Sequence, residues 1–397
     1  MKKILFLGAA HHQCPAIKYA TSRNYHVITL DNLPTNPGHK LAKESFNCST
    51  LNKGSVLDIA RKINIDGIVA YASDPAASTA AFVSDHLGLP GNPYESVKVL
   101  NNKDLWRNFL LINNFNVPKF STVNSVCDLK NKLKDFEFPV FIKPVDSSGS
   151  KGITEITSIN SSAQAYNHAK SFSLSGNVIV EEKIYFGDTQ IAGDGFIIDK
   201  RLKYKCFANE NFNIACNGIV PIGQTFPSSL TKKDENLVHQ ETQRIIDLLN
   251  LNFGALNFDF VFDEHGKLFF LELGPRNGGC RIPEVIKYYS RLNMIALTVE
   301  NAVGNTIQNT QDFLPNGFWA SYMIHSEKRG KFHSIDIDRN INESIVEIEM
   351  WASKGDQVFQ YDGSNRTLGT CILNFDSKES MSIFFSDPCK YIKVKVT

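Results

Sequence analysis

The first hundred residues alternate short apolar runs with amphipathic stretches, and this rhythm constrains the fold more than any other feature. "KILFLGA" reads as a strand, "PAIKYATSRN" as a helix and "HVITLD" as a second strand. "VLDIARKINI", "DGIVAYAS" and "AASTAAFVSDHLG" repeat the pattern as helix, strand and helix. Such a succession predicts an α/β fold with an open, mostly parallel sheet flanked by helices. In these sheets ligands sit beyond the C-terminal ends of the strands. "GAAHHQ" and "YASDPAAS" fall there, so His11, His12, Gln13, Ser73 and Asp74 are candidate substrate contacts. Gly8 stands alone where a dinucleotide turn would carry G-x-G-x-x-G, so that fingerprint is absent. This disfavours a nicotinamide dehydrogenase.

A chain of 397 residues has room for two to four packed units. With 42% hydrophobic residues it can bury a sizeable core, and a formal charge of +1 gives no reason to expect nucleic acid as a partner. No apolar run approaches the roughly 18 residues that mark a membrane span. The opening "MKKILFLGAAHHQ" has too short an apolar run for a signal peptide and is better read as a first strand. The eight cysteines form no C-x-x-C pair, which suits reduced thiols in the cytoplasm.

Residues 87–97, "LGLPGNPYESV", are punctuated by Pro and Gly and read as a linker. Domains are expected at 1–95, 96–310 and 311–397. The middle one divides into a smaller part at about 115–185 and a larger part at about 186–310. "FGDTQIAGDGFIIDKRLKYKCFA" reads as two strands joined by "DKR", and a helix is expected over about 231–250. "EVIKYYSRLNMIALTVENAVG" reads as helical, and from about 315 short strands with Gly, Asp and Asn turns suggest a small β-rich unit.

Chemistry concentrates in four segments. "PVFIKPVDSSGSKGITEI" runs a strand up to Lys143, then a loop of small hydroxyl and glycine residues, then another strand. The loop fails the G-x-x-x-x-G-K-[ST] pattern, and no helix follows it. Glycine amides and serine hydroxyls on a strand–strand loop can still fold over a triphosphate as a lid; the plainer reading is an ordinary hairpin loop. In "NFDFVF" and "LFFLELGPR", Asp259 and Glu272 interrupt apolar strands joined by a short turn. Adjacent carboxylates repel unless they share a proton or a cation, and oxygen ligands of this kind suit Mg²⁺ on nucleotide phosphates. Arg276 in "GPRNGG" could stabilise a phosphoryl group or a tetrahedral intermediate, with Gly278 allowing close approach to the backbone. "VIVEEKI" places Glu181, Glu182 and Ile184 where backbone groups could meet a nucleobase edge.

Taken in order, "NNKDLWR", "FIKPVDSSGSKG", "VIVEEKI" and "NFDFVF…LFFLELGPRNGG" resemble the ATP-grasp superfamily. The resemblance covers nearly the whole chain. It is greatest to the carbamoyl-phosphate-synthase and biotin-carboxylase-like branch, which includes uncharacterised ligases of surface-polysaccharide gene clusters. The resemblance implies a Rossmann-like front domain, central grasp domains and a small β-rich C-terminal domain. It implies ATP and one or two Mg²⁺ (or Mn²⁺) ions as cofactors. Lys103 and Lys143 then match phosphate-contacting lysines, and Ser147, Ser148, Gly149 and Ser150 the triphosphate lid. Glu181, Glu182 and Ile184 match the adenine hinge, and Asp188 lies one residue before the position of the ribose-binding acid. Asp259 and Glu272 match the metal carboxylates, and Arg276 the arginine that steadies an acyl phosphate. Where the family has E-x-N-x-R, this chain has Gly274, so either one ion loses a ligand or Asn277 replaces it.

The implied reaction joins a small-molecule carboxylate to an amine through an acyl phosphate, with release of ADP and phosphate. Further substrate contacts are sought in Lys205, Asn209 and Arg281. A homodimer formed through the front domain is a family-level expectation. The rival readings are a bicarbonate-using carboxylase or carbamoyl-phosphate-type enzyme, and a nucleotide-binding module without turnover.

Overall fold

The computed structural model describes residues 1–187, 189–216, 218–305 and 313–397. The front sheet has four parallel strands in the order Glu44–Asn47, His26–Asp31, Lys3–Leu7, Gly67–Val69. Alternate residues of a strand face opposite ways, and both faces are consequently covered. Leu5 and Leu7 pack with Val56, Leu57 and Ala60 of helix Lys53–Ile63. Ile4 and Phe6 pack with Ala16, Ile17 and Ala20 of helix Cys14–Ser22 and with Ile295 and Val299, which belong to a helix almost 300 residues further on. The front unit is thus closed by a piece of the central one.

A second sheet of four antiparallel strands runs Phe120–Val123, Val178–Glu182, Val140–Pro144, Thr154–Ile156. Helices Val126–Lys132 and Ser162–Phe172 supply Leu129, Ala165, Tyr166 and Ala169 to its core. A third sheet of eight strands starts at Leu268–Gly274, Gly254–Phe262, Ile191–Ile198, Arg201–Phe212 and Pro221–Phe226. It continues without a break into Phe318–Ile324, Gly369–Phe375 and Ile345–Met350, so the β-rich C-terminal region extends the central sheet. A small sheet of Gln357–Val358, Gly330–Ile337 and Ile392–Val396 completes the region.

The "DKR" hairpin has both Asp199 and Lys200 at positive φ, as a two-residue turn between twisted strands requires. Helix Lys232–Leu248 starts at Thr231, whose side chain accepts from the Asp234 amide. Two expectations need correction. Residues 87–97 are not a free linker: Gly88 caps helix Asp74–Leu87, the Asn92 side-chain Oδ1 accepts from the Asn252 and Phe253 amides, and helix Tyr94–Leu100 begins within the segment. The long helical stretch after residue 283 is two helices, Ile282–Ser290 and Met294–Ala302. The first stops at Arg291 (φ 66°) and the Asn293 side chain caps the second. Among the described residues no helix is long and apolar enough to cross a membrane.

Candidate active site

The second and third sheets, with His12, Ala72 and Asp74 of the front unit, line a cavity of about 500 Å³. Lys143, the penultimate residue of its strand, and the loop Ser147–Ser150 form one side, while Glu181 to Ile184 run along the edge. Lys103, Asp259, Glu272 and Arg276 close the other side. The loop does join two antiparallel neighbours, with Ile142 opposite Thr154. Gly149 takes φ +68°, and a side chain there would run into the Ser364 hydroxyl, so the loop lies against the C-terminal region.

The charges are arranged in two buried groups. In the first, Glu181 accepts from Lys143 Nζ at 2.8 Å and from Arg107 Nε and Nη2 at 2.9 and 3.3 Å. Arg107 also donates to the carbonyls of Phe270 and Leu271 at 3.1 and 3.0 Å. Burial opposes ionisation of Glu181, but the Arg107 and Lys143 charges outweigh it and hold its pKa at about 2. Arg107 was not singled out in the sequence. Its signal was available: it follows Lys103 by four residues, and two cations on one face of a helix need anionic partners.

The second group is acidic. Asp259 and Glu272 are direct cross-strand partners, and a bulge follows Asp259. Lys103 Nζ is 2.6 Å from Glu272 Oε1 and donates to the Ser147 carbonyl at 2.9 Å, joining carboxylate to loop. Burial and then the Glu272 charge push Asp259 up to about 7. A third carboxylate, Glu210, was missed by the sequence reading. Gln190 donates to both Glu210 and Asp259, at 2.8 and 2.7 Å, and holds them together. Burial and then the Asp259 charge push Glu210 well above the carboxylate range.

These oxygens fit magnesium. Among the described residues no group of three or more His, Cys, Asp or Glu side chains forms a ready-made metal cage. Asp259 and Glu272 are adjacent carboxylates that both line the cavity, and Asp259 is raised by burial and then by the Glu272 charge, so a cation held between them would relieve that cost. Asn277 does not join them. It is fully buried, its Oδ1 accepts from Thr298 at 2.7 Å, and it does not line the cavity.

Arg276 is held on all sides. Its Nε and Nη2 donate to the two oxygens of Asp74 at 2.7 and 2.6 Å, and its Nη1 to Asn257 Oδ1 and the Asn277 carbonyl at 2.7 and 3.0 Å. Behind it, Asp194 is fully buried and accepts from Asn257 at 3.0 Å and from the Gly278 amide at 2.9 Å. Burial pushes Asp194 up to about 7 against those hydrogen bonds. A Cβ at Gly278 would lie 2.7 Å from Asp194 Oδ1, so Gly278 serves this internal contact and not an approaching substrate.

Several expected substrate contacts lie elsewhere. Strand residues 206, 208 and 210 share one face, and Glu210 faces the cavity. Lys205 and Asn209 therefore point away: Lys205 reaches the Glu235 carbonyl, and Asn209 accepts from Ser229. Gln13 is a buried strut between the Ala10 amide and the Tyr71 carbonyl. Ser73 precedes its helix without lining the cavity. Arg281 pairs with Glu284, Glu347 and Glu349 outside the cavity. His11 stacks on Trp351 with ring centroids 5.0 Å apart, leaving His12 to line the cavity edge-on to the same ring. Burial lowers His12 to about 4. Asp188 lies outside the described residues.

This fold is that of the ATP-grasp ligases, an enzyme superfamily, with the mixed α/β build of a Rossmann-like front, a central grasp and a β-rich C-terminal part. Residues 112–289 match the family described as D-ala D-ala ligase C-terminus. The chain is similar to an L-amino acid ligase from Bacillus licheniformis, with a TM-score of 0.85 at 17% identity, covering 100% of this chain and 99% of that one. It is 29% identical over 191 residues to formate-dependent phosphoribosylglycinamide formyltransferase of Prochlorococcus marinus (strain NATL1A), over 47% of this chain and 48% of that protein. It is 22% identical over 264 residues to the carbamoyl phosphate synthase large chain of Thermoanaerobacter sp. (strain X514), over 64% of this chain and 23% of that protein. The matches thus span about half and about a quarter of these two relatives' lengths.

Proposed function

We propose that this protein is an ATP-dependent carboxylate–amine ligase that forms an amide through an acyl phosphate, releasing ADP and phosphate. The observation that carries the reading is one cavity with two lysines and a Ser/Gly loop facing a pair of acidic strand partners. In this reading the Ser147–Ser150 loop closes over the triphosphate, and Lys103 and Lys143 bind its oxygens. The backbone of Glu182 to Ile184 receives the adenine, and Asp188 is left as the ribose ligand. Asp259 and Glu272 would hold Mg²⁺, with Glu210 alongside, and the chemistry that ion would supply is charge neutralisation at the transferring phosphoryl group. A carboxylate oxygen attacks the γ-phosphorus and ADP leaves. The amine nitrogen then attacks the acyl carbon, and phosphate departs with the bonding electron pair and takes up the proton that nitrogen loses. Positioning and electrostatics supply most of the rate, and the closed loop keeps water from the intermediate. Arg276 contacts the acyl phosphate, and His12 lies on the substrate side.

The reading assigns residues 1–95 to a front domain, 96–310 to the grasp and 311–397 to a C-terminal domain. It places the enzyme in the cytoplasm, as a homodimer, in surface-polysaccharide or modified-sugar biosynthesis. The test is a screen of amino acids, uronic acids and nucleotide sugars for ADP release. ADP formation that requires one carboxylate and one amine together supports the reading. ADP formation with bicarbonate alone favours a carboxylase, and none with any pair removes the proposal.

A further inference from the structure

The sequence reading placed Asp74 among substrate contacts, yet both of its oxygens are spent on Arg276. The two residues stand 202 positions apart, and the fork between them joins the front unit to the end of the central sheet. Asp74 is the first residue of helix Asp74–Leu87, where a carboxylate is favoured by the helix dipole. Its backbone carbonyl is fixed as well, by Asn101 Nδ2 at 2.8 Å. Burial opposes the charge on Asp74, but Arg276 outweighs it and holds the pKa below the ordinary carboxylate range.

Arginine has five N–H donors. Two go to Asp74, one to Asn257 and one to the Asn277 carbonyl, which leaves a single Nη2 hydrogen for the cavity that Arg276 lines. A guanidinium so held cannot form a two-pronged clamp on a substrate carboxylate. It can offer one fixed hydrogen bond to one oxygen.

Gly274 belongs to the same device. A Cβ at that position would lie 2.9 Å from Asp74 Oδ1 and 3.2 Å from Arg276 Cζ. The fork fills the space that a side chain on the strand end would need, and Gly274 is the residue that leaves it free.

We infer that Asp74 is a positioning residue, supplied by the front domain, that fixes Arg276 as a single-donor contact for an oxygen of the reacting acyl phosphate. This rests on the ligase reading given above. Residues of the front domain then complete the site, and the space at Gly274 is a condition for it.

The test is a kinetic double-mutant cycle on the full chain with Asp74→Ala, Gly274→Ala and the pair, with Asp74→Asn as a milder variant. Asp74→Ala and Gly274→Ala are each expected to lower kcat about 10–100-fold with KM for ATP close to wild type, while the melting temperature falls in both, further in Asp74→Ala, which strands Arg276. Asp74→Asn, which keeps one acceptor, falls between. Because both changes disturb one fork, the double variant is expected to be little worse than the worse single one. Independent, multiplying effects overturn the inference, as does an unchanged kcat in Asp74→Asn and Gly274→Ala. If Asp74→Ala does not fold, those two variants decide. A wild type that forms no ADP with any carboxylate and amine sinks the ligase reading instead, and the positioning role with it. An active wild type with indifferent variants sinks only the positioning role.

Discussion

Replacing Arg107 by Met removes one partner of a buried ion pair while keeping much of its volume. Arg107 is 1% exposed and Glu181 2%. Glu181 would lose bonds of 2.9 and 3.3 Å, and the carbonyls of Phe270 and Leu271 would lose their donor. Stranding one member of such a pair costs about 3–5 kcal/mol. The depressed pKa of Glu181 points the same way. Its fall from an ordinary 4.5 to about 2 corresponds to about 3 kcal/mol, shared between Arg107 and Lys143. Because the folded-state pKa is depressed, this stabilisation is fully present above pH 4.5 and is lost as pH falls towards 2. Urea unfolding followed by tryptophan fluorescence suits the assay, since Trp106 beside Arg107 is itself buried. The variant should lose about 3–5 kcal/mol at pH 7, and its stability should vary less than that of wild type between pH 4.5 and 2. A loss below about 1 kcal/mol, the range of an exposed pair, or an unaltered acid limb, would refute the reasoning.

Other outcomes follow from the same site. Glu272→Gln should abolish ATP turnover and remove the rise in melting temperature produced by Mg²⁺ with ADP; a variant with full turnover contradicts the metal assignment. Gly278→Ala places a Cβ 2.7 Å from Asp194 Oδ1 and 2.8 Å from Asn257 Nδ2, and overpacking of this kind should cost about 1–3 kcal/mol in chemical denaturation. Asp194 has its pKa raised from 3.8 to about 7, so it stabilises the fold fully below pH 3.8 and loses that contribution as pH rises through 7. Asp194→Asn should therefore flatten the stability profile across pH 4–7, and an unchanged slope there argues against a buried, protonated carboxyl.

The parts of the site that a single segment carries were readable from the sequence. The loop after Lys143 joins two strands, and Asp259 stands opposite Glu272 because one tight hairpin sets their register. Contacts between distant segments were not readable. Asp74 and Arg276, Arg107 and Glu181, and Gln190 with Glu210 and Asp259 are pairings that only the assembled sheets create. Face parity was the other source of error. Lys205 and Asn209 were picked from a strand whose cavity face belongs to Glu210, and an alternating pattern does not by itself say which face is which. Gly274 was read as a missing ligand, although its neighbours show it as a space kept clear.

The central claim is the acyl phosphate, and oxygen transfer tests it most directly. With a carboxylate–amine pair that supports ADP release, the carboxylate is labelled with ¹⁸O and the released phosphate is analysed by mass spectrometry. One labelled oxygen in each phosphate is the predicted result, because the carboxylate oxygen that attacks the γ-phosphorus leaves with it. Unlabelled phosphate, formed at the same rate as ADP, would mean that water and not the carboxylate attacks ATP, and would contradict the account.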